Sequence, residues 1–110
     1  MAFTAYHNIL GSAGVDSELI ANGEGVMGIN SILITNVHAT ADATVSLFIQ
    51  DNPTGAAKST FYILSTIAIP SDTSLLLDDS SILSFDNSTS GYGLYITVGG
   101  SDTVDVFINK

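Results

Sequence analysis

The chain has no cysteine, which excludes a disulfide scaffold, a thiolate zinc site and a cysteine nucleophile together. It has no arginine and only two lysines, Lys58 and Lys110, against eleven acids, for a formal net charge of -9. Gripping a phosphate backbone requires clustered cations that displace counterions, and so few lysines cannot form such a cluster. Nucleic acid is excluded as a partner on that ground, and an anionic membrane surface with it. No apolar run reaches the roughly 18 residues of a membrane-spanning helix. The opening MAFTAYHNIL has neither the basic start nor the unbroken apolar stretch of a secretion signal, so none is expected. Tryptophan is absent too.

What is present is apolar or polar without charge. Of 110 residues, 45% are hydrophobic and 12% charged, and that charged share is about half the usual one. Disordered chains combine low hydrophobicity with high charge, so this composition belongs to a folded protein. Its length suits one core, and a single domain over residues 1–110 is expected. Turn-forming clusters recur along it: Gly11 to Gly14, Asn22 to Gly25, Asp51 to Gly55, Pro70 to Asp72, Asp86 to Gly91 and Gly99 to Asp102. A turn about every ten residues, built from Gly, Asn, Asp and Pro, is the mark of an all-β sandwich or barrel.

The segments between the turns are rich in Ile, Val, Thr, Phe and Tyr, which suit a pleated, half-buried surface. Several alternate with period two. Val45, Leu47 and Ile49 share one face; so do Phe61, Ile63, Ile67 and Ile69; Leu94, Ile96 and Val98; and Val104, Val106 and Ile108. These residues are the expected core. Further strands are expected over residues 3–10, near Glu18 to Ala21, over 29–37, over 73–77 and over 82–86. The stretch Ser31 to Thr35 is apolar on both sides, as in a strand covered on both faces or one that meets a partner. Seven to nine short antiparallel strands and almost no helix are predicted.

The runs INSILITNVHATADATVSLFI, IAIPSDTSLLLDDSSILSFDN and GLYITVGGSDTVDVFINK carry a resemblance. Thr35 and Asn36 close one strand, Ala43 to Val45 open the next, Ile69 and Pro70 precede the leucines at 75 to 77, and a Gly-Gly-Ser-Asp turn at 99 to 102 separates the last two strands. In that order, over residues 26–110, the chain is similar to small virion structural proteins of tailed bacteriophages. The resemblance implies a jelly-roll-like β-sandwich and a place in the virion as a capsid decoration or cement protein, or in the neck or tail. It implies the major capsid protein or other virion proteins as partners, and a homo-oligomer, a trimer. The N-terminal quarter, with two glycine-containing loops close together, lies outside the pattern.

Chemistry is sparse. His7 and His38 are the only imidazoles, and no HxH or HExxH spacing gives them company, so polar strand or turn positions account for them. Asp78 and Asp79 are neighbours, which on a strand point to opposite faces and cannot act as facing acid and base. They read as solvated turn residues, without EF-hand spacing. GxSxG is absent, and no helix follows Gly91 to Gly93 or Val98 to Gly100 to make a phosphate loop. Asn87-Ser88-Thr89 is a glycosylation sequon in a loop. No catalytic residue, metal or cofactor is expected.

The aromatics carry more. Phe48, Tyr62, Tyr95 and Phe107 are out of phase with the core-facing sets of their strands. Aromatics on a sparsely charged domain favour a protein contact surface, where aromatics are enriched and charges depleted. The four are the candidate protein-interface residues of a non-enzymatic structural protein. The alternative is a carbohydrate-binding module in which Tyr62, Tyr92 or Tyr95 stacks on sugar rings, against which the missing tryptophan counts.

Overall fold

A computed structural model describes residues 5–11, 16–26, 29–51, 59–88, 91–100 and 102–109. These residues form eight strands and no helix: β1 (Ala5–Leu10), β2 (Asp16–Ile20), β3 (Ser31–Asn36), β4 (Ala43–Gln50), β5 (Thr60–Ile69), β6 (Ser74–Leu77), β7 (Gly93–Val98) and β8 (Thr103–Asn109). β1 pairs with β8, β2 with β7, β3 with β6 and β4 with β5, all antiparallel. The chain is thus one long hairpin turning between β4 and β5, rolled so that successive strand pairs fall alternately in two sheets. Ladders from β8 to β3 and from β7 to β4 complete the orders β1-β8-β3-β6 and β2-β7-β4-β5. The expected all-β antiparallel sandwich is the fold observed.

The core lies between the sheets and is aliphatic. Among the described residues sixteen buried ones form one cluster, including Ile32, Ile34, Val45, Leu47, Leu94, Ile96, Val104, Val106 and Ile108. Alternation placed most of them. β8, flanked by β1 and β3, buries Val104, Val106 and Ile108 and turns Thr103, Asp105 and Phe107 outward. The doubly apolar stretch from Ser31 is an interior strand, with Ile32 and Ile34 inward and Leu33 half-buried on the outer face.

Two expectations fail for physical reasons. Residues 82–86 form no strand. The Asp79 carboxylate accepts the Ser81 amide and hydroxyl, at 3.0 and 2.6 Å, and main-chain bonds from Ile82 to Asp79 and from Leu83 to Ser80 close a turn. This turn tucks Leu83 into the core and leaves Ile82 outside. On β5 the strict period breaks, because Leu64 sits opposite Leu47 and Tyr62 opposite Phe48, so β5 carries an extra residue at each of two register shifts. Thr66 takes φ 53°, and its amide reaches the Ser46 hydroxyl at 2.9 Å instead of a ladder carbonyl. Ile69 is buried and Ile63 half-buried as expected, Leu64 joins the core, and Phe61 and Ile67 stand exposed.

Two buried asparagines fasten the ends. At one end Asn36, fully buried, donates to the carbonyls of Ala41 and Ile69 at 2.9 and 3.0 Å and accepts the His38 amide at 2.9 Å. It ties β3 to the start of β4 and the close of β5. At the other end Asn87 donates to the carbonyls of Ala21 and Tyr92 and accepts the Val26 amide, while its own carbonyl receives the amides of Gly23 and Gly25. Gly23 and Gly25 adopt φ 82° and 76°, angles that suit glycine alone without strain. A buried amide that loses its partner leaves carbonyls stranded, which costs about 1–3 kcal/mol for each unsatisfied group. Asn36→Ala therefore lowers unfolding stability by about 2 kcal/mol or more, read from urea denaturation; a loss within error would show that water replaces the bonds.

Candidate interaction surface

The outer face of the β2-β7-β4-β5 sheet is built around Phe48. Register sets Glu18 of β2 beside Tyr95 of β7, Tyr95 beside Phe48 of β4, and Phe48 beside Tyr62 of β5, one row across all four strands. The Phe48 ring lies 5.2 Å from Tyr62, tilted, and 6.0 Å from Tyr95, stacked. Offset and tilted ring pairs at such separations are favourable beyond their burial. Phe48 is 2% exposed and Tyr95 5%, whereas Tyr62, on the edge strand, is 58% exposed. The sheet thus hides its outer-face rings with its own neighbours, and Tyr62 is the ring left for solvent or a partner.

Tyr95 ends in a polar seat. Its hydroxyl lies 3.2 Å from the Glu18 carboxylate and 3.4 Å from Asn22 Oδ1. Asn22 is itself held by donation to the Gly91 carbonyl at 2.7 Å. Burial, with the neighbouring carboxylates of Glu18 and then Asp16, pushes the Tyr95 phenol up to about 12. The phenol stays a neutral donor, which is what a carboxylate acceptor requires.

The four aromatics singled out in the sequence do not form one surface. Phe48, Tyr62 and Tyr95 come together. Phe107 lies half-buried on the outer face of the opposite sheet, in register between Tyr6 of β1 and Leu33 of β3, with Leu76 of β6 beyond. Alternation gave the right side of the strand for each, but not which sheet the strand would join. The sequence reading missed Phe61, 57% exposed, whose ring meets Tyr92 edge-on at 5.8 Å. Alternation sets it on the inward side of β5, opposite Ile49 in register, and it stands exposed there because β5 is the edge of its sheet.

The remaining chemistry is turn construction. His38 Nδ1 accepts the amides of Thr40 and Ala41, both at 3.2 Å, within its own loop. His7 sits on β1 opposite Val106. The Ser81 hydroxyl, then its amide, hold Asp79 below its ordinary carboxylate value; the Ser88 amide, then its hydroxyl, do the same for Asp86. Among the described residues no three His, Asp or Glu side chains lie together as metal ligands would. An open cleft of about 310 Å³ runs along Gly25, Val26 and Phe85 to Ser88. In the sequon Asn87 is 3% exposed with its amide hydrogens committed to two carbonyls, which leaves no nitrogen for a glycan in the folded chain. No protein-family model, curated protein or solved structure matches the chain.

The sheltered row fixes two expectations. Phe48→Ala removes a buried ring and costs about 3–5 kcal/mol, as a core phenylalanine does; a urea midpoint unchanged from the parent would show that the outer face contributes little. Tyr95 has a folded-state value above its ordinary 10.0, so its stabilising contribution is whole below pH 10 and is lost as pH rises from there through about 12. Stability measured across that range falls in the parent and falls less in Tyr95→Phe. Equal slopes would remove Tyr95 as the cause.

Proposed function

We propose that the chain is a non-enzymatic structural protein of a tailed-phage virion, a capsid decoration or cement protein that acts through protein contacts as a homo-oligomer. The observation that carries this reading is the pairing order. Eight strands paired first with last, second with seventh, third with sixth and fourth with fifth are what we take as a jelly roll, two Greek keys wound together, an architecture used by viral capsid domains. The resemblance in sequence points the same way and supplies the trimer and the capsid as partner. A neck or tail position rests on the same physics. The mechanism is mass action: each bound copy stabilises the assembled lattice by its affinity for it.

Jelly rolls also serve lectins, and one observation favours that second reading. Tyr62 is more than half exposed on the outer face of the edge strand, and Phe61, more than half exposed on its other face, meets Tyr92; each leaves a ring on which a sugar can stack. A glycan array separates the two, since a module binds particular sugars as an isolated domain and a decoration protein binds none. For the first reading, density-gradient fractions of a phage lysate containing this chain are probed for it. It is expected to band with intact particles, and recovery solely in particle-free fractions sinks the proposal.

A further inference from the structure

The exposed apolar side chains are not spread evenly. Of the seven large hydrophobic residues exposed among the described residues, five lie on β5, on β6 or in the turn after β6: Phe61, Tyr62, Ile67, Leu76 and Ile82. β5 borders one sheet and β6 the other. Only residues 70–73 join them, so both run along the same side of the sandwich. Phe61 and Ile67, in register with Ile49 and Val45, open onto the gap between the sheets, which no third layer closes at the side of a sandwich, while Tyr62 and Leu76 flank it on the two outer faces.

Charge distinguishes this side from the opposite one. β5 and β6 contain no Asp, Glu, Lys or Arg; of the two edge strands on the far side, β1 contains none either but β2 carries Asp16 and Glu18. A chain of net charge -9 cannot join a copy of itself through carboxylate-bearing strands without setting like charges together, which costs several kcal/mol. A neutral strip escapes that cost. Its size is adequate: ten residues of β5 run about 33 Å, and across the 19 Å thickness of the molecule they present on the order of 600 Å². Standard interfaces bury roughly 800 Å² per partner, with rings protruding into the contact adding to the flat area.

We infer that the β5/β6 edge is the surface through which one copy of this chain meets another; the inference rests on the homo-oligomer proposed above and names its interface. The contact is made by side chains rather than by strand addition. The two register shifts of β5 and the left-handed Thr66 break the straight row of backbone groups that another strand would extend, a device that keeps edges from growing into open-ended sheets. Asp72, Asp78 and Asp79 bracket β6 and form an acidic rim whose repulsion salt screens. Association therefore strengthens as salt is raised, the reverse of a contact held by ion pairs.

Sedimentation velocity over a concentration series tests this on the full chain. Phe61→Glu and Ile82→Glu are each expected to weaken self-association at least tenfold, with circular dichroism unchanged. Leu10→Glu, at the exposed end of β1 on the other side, is expected to leave it intact. Should one edge variant unfold, the other carries the test. An oligomer that withstands both edge charges overturns the inference while leaving the homo-oligomer standing. A chain that is monomeric at every concentration yet still bands with particles overturns the inference and the homo-oligomer, while its place on the particle stands.

Discussion

Eleven carboxylates and two lysines set the terms on which this chain can fold. Acids that cannot find cations must find N–H and O–H donors, and the chain supplies these from its own turns. Asp51 takes the Ser59 amide where β4 passes to β5, Asp79 and Asp86 take Ser81 and Ser88 in the long connection after β6, and Asp102 takes the Thr44 amide, binding the last turn to β4. Asp16 and Asp105 accept from Thr97 and Asn8 on the outer faces. Hydrogen bonds to ionised acceptors are stronger than neutral ones. The abundant serine and threonine that replace charge for solubility thus also serve as the counter-groups of the acids.

The same scarcity of charge explains the outer faces. A sheet face that meets water normally carries Lys, Glu or Arg, whose long stems cover neighbouring apolar area. Here rings do the covering: Phe48 is hidden by Tyr62 and Tyr95, and Tyr95 finds a carboxylate for its hydroxyl. The face is half core and half surface. At the side, where β5 and β6 border their sheets, the device runs out and most of the uncovered large apolar groups gather.

Much of this was legible in the sequence. Alternation marks Val104, Val106 and Ile108 as inward and Phe107 as outward because the period is fixed by the pleat. Turn residues placed most of the strand ends. The pairing of β1 with β8 was not legible, since nothing local in Ala5–Leu10 names a partner nearly a whole chain away. Nor were the bulges of β5, which depend on the mismatch between two paired strands and not on either alone. The strand expected over 82–86 failed because a single carboxylate, Asp79, stabilises a turn that hydropathy does not register. Asn36 and Asn87 looked like ordinary turn residues, and only burial shows them to be the clamps.

The rolled hairpin also ranks the order in which its parts can form. Gln50 and Thr60 of the central pair are ten residues apart, whereas Asn8 and Asp105 of the outermost are 97 apart. Closing the longer loop from an unfolded chain costs about 2 kcal/mol more in entropy. Each inner pair shortens the loop the next one must close, so the least costly route runs from the central turn outward, with the first and last strands meeting late. Folds dominated by such distant pairings take milliseconds to seconds. Until the two chain ends meet, the exposed flank of the last strand stays open to whatever else is in solution.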